Sequence, residues 1–522
     1  PALHALGSDP LALRASRLAE PGRPTVSAMR GLFSRLVGSR SVASGAALYI
    51  AMRWFDRSIG VVSTIVLARL LTAADFGIVA LASIALGLAV VLLDLGINLT
   101  VVQRRNIDRD ELDTAWTLRL LQNVAVAAVL ALSSPWVADY YHDPRLAPVI
   151  VTLAFAYLLD GLTGLGPIVF QKRQEYAREV AFFMAKRAIG FAATVVLALW
   201  LRSYWALVVG TVLSNVAGVV LSYVMHPAAP RFTLSRWRDF LGASSWLTIR
   251  AIGSFATSQL DKLVVGRRDG PTMLGAYSLA DQISAMPASE LLAPTSRALF
   301  PAMAASQEDR PKLRRIYLSA LGIQCSLALP ASVGLALVAA DMVPVVLGEK
   351  WGQAVPLMTA LALAYGANSL TSAGNYLMVS LGDFRTQAVL QWAMAAVLAA
   401  LIFAAFPQSG ANEIAWFRVA LGGLGIVAVA ALVRRRLPIV TFADMLRQTA
   451  RPVIATAVMS VAVAGVQYAG GTLSTWLRLV AEVASGAVVY AAALAGLWHL
   501  AGRPDGAERW ALQRARSLLA RS

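Results

Sequence analysis

The side chains in this sequence that could do chemistry are charges placed inside long apolar runs. Within 43–68 stand Arg53, Asp56 and Arg57, and within 241–265 stand Arg250, Asp261 and Lys262. Each such charge costs about 2.5–3.5 kcal/mol at mid-membrane, against a few tenths gained per Leu, Ile or Val. Three of them cost roughly 8–10 kcal/mol, about what the rest of the first run gains. That run is therefore expected to turn its charges toward a protein-lined or wet interior. Arg53, Asp56, Gly60 and Ser63/Thr64 recur at helical spacing, with Arg57 one turn beyond Arg53. On the second run Arg250, Ser254, Thr257 and Asp261 do the same, and Lys262 adds a cation. Stripes of this kind suit passage of something polar, and guanidinium offers a bidentate fork for hydrogen bonding. The competing use is structural pairing, Arg53–Asp56–Arg57 or Asp261–Lys262, that holds helices together.

Further polar residues fall at comparable depth. The run 273–300 holds Asp281, Gln282, Glu290 and Arg297, with Pro287, Pro294 and Pro301 at seven-residue intervals. Proline removes a backbone hydrogen bond and can serve a carrier as a hinge. Asn368, Ser372 and Asn375 share one face of the run 354–380, fit for a polar ligand or for hydrogen bonds between helices. Asp94, Asn98, Arg119 and Asp160 are candidates for a cytoplasmic gate, with a permanent ion network as the alternative. Arg418 and Glu482 stand isolated and are expected to have no role. Trp116, Trp136, Trp205 and Trp351 read as interfacial anchors. The single Cys325, four histidines and the lack of a glycine-rich Gly-Lys-Ser/Thr turn leave no basis for a disulfide framework, a metal, another cofactor or nucleotide hydrolysis.

These residues need elements to carry them, and composition says which. Of 522 residues 58% are hydrophobic and 14% are charged, which is a membrane composition rather than a soluble one. Fourteen runs are each long enough to span: 43–68, 76–101, 114–138, 147–169, 180–201, 204–225, 241–265, 273–300, 315–340, 354–380, 386–406, 412–433, 452–470 and 475–500. The net charge of +17 does not mark a nucleic-acid binder, because the basic residues recur on every second connection. About 30 Arg and Lys lie on one side against about 6 on the other, so both termini are expected in the cytoplasm. The outward loops are short, which leaves a glycosyl polymerase or ligase no acceptor domain.

The stretch Ala68–Ala82 aligns with Gly266–Ala280 through Arg69/Arg267, Gly77/Gly275, Leu81/Leu279 and Ala82/Ala280. Six spans separate the two, an even number, so the halves share one orientation. The expected fold is an all-α polytopic membrane protein of about 14 transmembrane helices. Two parallel-repeat six-helix bundles would surround a central cavity, with two C-terminal helices beyond. The expected division is a cytoplasmic extension at 1–41, disordered at 1–28 with Met29 a more natural start; a bundle at 42–225; a linker at 226–240; and a bundle at 241–433. A basic linker at 434–451, helices at 452–500 and a basic tail at 501–522 follow.

The stretch Leu67-Ala68-Arg69-Leu70-Leu71-Thr72-Ala73-Ala74-Asp75-Phe76-Gly77 resembles the LARLLTPEDFG signature of bacterial polysaccharide flippases of the Wzx type. Leu274-Gly275-Ala276-Tyr277-Ser278-Leu279-Ala280, on through Met286-Pro287 to Leu299-Phe300-Pro301, resembles their LGYYSLA…P…LFP segment. The resemblance covers roughly 42–435 and implies a superfamily shared with the peptidoglycan-precursor flippase and the MATE drug antiporters. It implies export of undecaprenyl-diphosphate-linked oligosaccharide across a bacterial inner membrane, with membrane lipids, a polysaccharide polymerase and chain-length machinery as partners. Gln282 stands where the peptidoglycan-precursor flippase carries Arg, which speaks against that substrate. The rival reading is a MATE-like antiporter, which would need a lone carboxylate in its cavity; the excess of Arg over acid disfavours it.

Overall fold

The computed structural model describes residues 42–94, 96–97, 100–101, 108–173, 175–240, 245–471 and 473–502, without the side chains at 42–47, 49–50, 245–247 and 293–298. The expected extension 1–41, most of the tail, Asn98 and the Arg297 side chain lie outside them.

Every regular element among the described residues is helical. The long helices are α1 (Val42–Leu70), α2 (Ala73–Leu93), α3 (Arg109–Tyr141), α4 (Leu146–Gly161), the short α5 (Gly166–Lys172), α6 (Tyr176–Leu201) and α7 (Trp205–Met225). There follow α8 (Ser245–Arg268), α9 (Gly270–Ala304), α10 (Arg310–Met342), α11 (Ala354–Ser380), α12 (Phe384–Ala400), α13 (Ala411–Arg436), α14 (Phe442–Ala469) and α15 (Thr475–Leu500). Single π turns extend α10 over Val343–Leu347 and α12 over Leu401–Ala405.

Among the described residues nine helices are long and apolar enough to cross a membrane: α2, α3, α6, α7, α10, α12, α13, α14 and α15. A tenth follows if α4 and α5, bent by 52° at their junction, count as one broken span. The long helices missing from that group are α1, α8, α9 and α11, which carry the charges and amides singled out above. Their polarity is what an interior-facing helix can tolerate and a lipid-facing one cannot. The chain is an all-α, multi-pass membrane protein.

Local sequence sets the helix starts that matter. Thr72 caps α2 reciprocally with Asp75, whose Oδ2 accepts from Thr72 N at 2.9 Å. Asp75 Oδ1 also accepts from Tyr204 N at 2.9 Å, tying that start to α7. Helix α9 begins with Gly270 at φ +79°, a left-handed conformation that favours glycine, followed by Pro271 in its first turn.

The largest core lies where α1–α2 meet α8–α9, with Ile78, Leu81, Val265, Leu274, Tyr277 and Leu279 all buried. Trp351 joins this core and donates from Nε1 to Ala68 O at 2.9 Å. Trp116 is likewise buried and donates to Thr163 O. Neither is the interfacial anchor expected; each has found a buried carbonyl for its indole N–H. Helix pairs recur: α1 packs on α6, α2 on α4, and α4 on α3 and α7, while α8 packs on α12, α9 on α11, and α11 on α10 and α13. Helices α14 and α15 pack on each other and on α10.

Candidate functional site

At the end of the molecule where α1 gives way to α2 and α8 to α9, the two halves interlock. Lys350 Nζ donates to Arg69 O and Leu71 O at 2.9 and 2.7 Å, and Arg69 donates in return to Val345 O and Val346 O. Arg268 donates to Ile402 O and Ser409 O. Lys350 and Arg69 satisfy carbonyls across the halves at helix C-termini, where the helix dipole favours positive charge, and Arg268 does the same for Ile402 O within the second half.

Toward the opposite end two cavities open. The first, about 490 Å³, is lined by Arg53, Ser289, Tyr365, Asn368, Ser372 and Tyr376 among others. The second, about 450 Å³, has Arg53, Asp56, Lys186, Arg187 and Ser214 in its wall. Arg53 faces both. One cavity thus offers aromatic faces, an amide and hydroxyls, the other a concentration of cations.

Arg53 and Arg57 are not paired with Asp56, as the structural alternative required. Arg53 donates from Nε and Nη2 to Glu290 Oε2 at 3.3 and 3.2 Å, and Arg57 Nε lies 3.5 Å from Glu290 Oε1. Asp56, about 100° round the helix from Arg57, instead meets Arg187 of α6 at 3.0 Å. Arg250 belongs to neither cavity wall, and its Nε is buried without a hydrogen-bond partner.

Asp261, Lys262 and Asp281 do come together, through a residue expected to have no role. Arg418 of α13 donates from one atom, Nη1, to Asp261 Oδ2 at 3.0 Å and to Asp281 Oδ1 at 2.9 Å. Asp281 also meets Lys262 Nζ at 2.7 Å and accepts from Tyr365 Oη at 2.9 Å, while Tyr277 Oη donates to Asp261 at 2.7 Å. The expected Asp261–Lys262 side-chain pair does not form. Adjacent helical residues point about 100° apart, so Lys262 meets Asp261 only through its backbone N–H, and its ammonium goes to Asp281. Two carboxylates and two cations make the network neutral, as burial demands. Tyr365 carries it to the cavity: its ring lies 5.3 Å from the Arg418 guanidinium and lines the first cavity. A charge in the run 412–433 costs as much as one in 43–68, which is the signal by which Arg418 could have been found.

The remaining candidates separate by position. Gln282 donates across the halves to Thr64 Oγ1 at 3.2 Å. Asn368 is exposed to the first cavity. Asn375 donates to Thr371 and accepts from Gln387 outside it. Asp160 joins Arg119 at 2.6 Å and Lys186 at 3.0 Å, tying α3, α4 and α6. Asp94 stays apart from that triad, exposed, accepting from Gly96 N.

A family model described as "Polysaccharide biosynthesis protein" matches residues 66–356. The lipopolysaccharide biosynthesis protein WzxC of Escherichia coli (strain K12) is 30% identical over 61% of this chain and 65% of its own length. The matched stretch thus spans just under two thirds of that relative. The succinoglycan biosynthesis transport protein ExoT of Rhizobium meliloti (strain 1021) is 24% identical over 81% of this chain and 87% of its own. Among solved structures, a lipid II flippase MurJ in an inward closed conformation superposes with a TM-score of 0.66 at 10% identity. That superposition covers 87% of this chain and 99% of the other, and the likeness is one of fold.

Proposed function

The chain belongs to the family of polysaccharide biosynthesis proteins, and from that membership and its cation-walled cavities we propose that it is a flippase for lipid-linked oligosaccharide. Its cargo is a saccharide on undecaprenyl diphosphate, moved from the inner to the outer leaflet of a bacterial inner membrane. The observation that carries this reading is the position of Arg53 at the join of the two cavities. A diphosphate needs cations, and Arg53, Arg187 and Lys186 wall the second cavity, with Arg57 linked to Arg53 through Glu290. A sugar needs flat apolar faces and hydrogen-bonding groups, and Tyr365, Tyr376, Asn368 and Ser372 line the first.

The interlocked end is the outward gate in this reading, and both termini are cytoplasmic. The halves 42–225 and 241–433 are parallel repeats that rock about the cavity. No bond of the cargo is made or broken; the chain acts as a carrier and not as an enzyme. Carrying about two negative charges outward is itself favoured by roughly 4–5 kcal/mol per 100 mV of membrane potential. A polysaccharide polymerase and its chain-length machinery would receive the product. A cation antiporter would need an uncommitted carboxylate on the cavity, whereas Asp281, Asp261, Asp56 and Glu290 are all engaged by cations.

The test is complementation of a strain deleted for its own flippase, supplied in turn with different repeat units. Export is expected for at least one diphosphate-linked repeat unit. Stable membrane insertion with export of none would refute the reading.

A further inference from the structure

Glu290 is held as a bound anion would be. Its Oε2 accepts two hydrogen bonds from Arg53, its Oε1 lies within ion-pair distance of Arg57, and Ser289 Oγ donates to Oε1 at 3.4 Å. The contact spans the halves, from α9 back to α1. One carboxylate shared by two guanidiniums leaves one positive charge over, and most of their ten N–H donors are unused by it. The side chains of Arg53, Arg57 and Glu290 are 37%, 30% and 30% exposed, so the cluster is not part of the core, and Arg53 and Ser289 join it to the first cavity.

Exposure of that order makes the clamp weak, since screened ion pairs contribute little. A diphosphate presents more anionic oxygens than a carboxylate and can fill both forks at once. It would also repel Glu290 from the place it takes. Pro287, one turn earlier on α9, has no backbone N–H to hold that turn in place.

We propose that Glu290 is a resident stand-in for the diphosphate: it fills the Arg53–Arg57 anion subsite while the cavity is empty and yields it to an incoming diphosphate, which thereby unclamps α9 from α1. Neutral lipids cannot make that exchange, so the clamp admits only anionic cargo. The inference rests on the flippase reading solely for what carries the diphosphate.

The probe is inorganic pyrophosphate, titrated by calorimetry into the full-length chain in nanodiscs at fixed ionic strength. Glu290→Gln keeps the shape and removes the competing charge; it should bind pyrophosphate about three- to fivefold more tightly than the parent, the scale of a partly exposed ion pair. Glu290→Asp, with its carboxylate drawn back by one methylene, should fall between. Arg53→Ala added to Glu290→Gln should remove the gain. Unchanged or weaker binding by Glu290→Gln would overturn the proposal. So would a Glu290→Gln chain too unstable to purify, because a displaceable contact cannot be essential to folding. Pyrophosphate binding needs neither carrier lipid nor export, so a chain that meets these expectations yet restores no polysaccharide refutes the flippase reading alone.

Discussion

Gly77 at the start of α2 and Gly275 at the start of α9 each stand where a side chain would strike the backbone of the other half. A Cβ on Gly77 would lie 1.8 Å from Pro271 O, and one on Gly275 would lie 1.7 Å from Ala73 O and 2.9 Å from Gly77 N. The two helix starts therefore meet backbone to backbone, and the seal at this end depends on two missing methyl groups. Gly77→Val or Gly275→Val should hold the halves apart there. We expect Ala73→Cys in either background to react with a membrane-impermeant thiol reagent from outside at least several-fold faster, with export lost. Parental labelling together with parental export would show that the seal does not need these glycines.

Arg418 is the second point of leverage. Its replacement by Ala leaves Asp261 and Asp281 buried with Lys262 as their only remaining cation within the network. Breaking a buried pair in this way costs about 3–5 kcal/mol, so the protein should be depleted from the membrane fraction. Arg418→Lys should retain part of the abundance, because a single nitrogen already serves both carboxylates. Arg418→Ala at parental abundance and thermal stability would show that the network carries no structural weight.

Arg53 and Arg57 should behave in the opposite way. Arg53 and Arg57 are partly exposed, and removing such pairs costs about 0–1 kcal/mol. Joint replacement by Ala should abolish polysaccharide export while membrane abundance stays near normal. Lys replacements should keep some export, since charge survives without the bidentate fork. Normal export by a well-expressed Arg53→Ala/Arg57→Ala variant would remove the cationic cavity from the mechanism.

Orientation is checked separately. A reporter active only outside the cytoplasm, fused after Ser522, should be silent, and the same reporter in the 266–272 connection should be active. The reverse pattern would invert the gate and the direction of transport.

How much of this was legible beforehand differs residue by residue. The cost of charge in lipid picked out Arg53, Arg57, Asp261, Lys262 and Asp281 without coordinates, and each meets a counter-charge on another helix. The same arithmetic applies to Arg418, a charge within the apolar run 412–433. Partner choice was the weaker inference. Helical periodicity places Asp56 near Arg57 on one helix, yet their partners, Arg187 and Glu290, come from two different neighbours. Arg119 and Asp160, which the sequence places at similar depth, pair with each other, while Asp94 stays apart.

The sequence by itself determined the helices, their polar faces and the two glycine-bearing connections, because hydropathy, capping and periodicity are properties of a single segment in lipid. Tertiary structure alone decided that Glu290 bridges Arg53 and Arg57, that Arg418 joins Asp261 to Asp281, and that Trp351 is core. Those pairings depend on which helix face meets which across more than a hundred residues of chain, and the bilayer, equally apolar toward every helix, does not select among them.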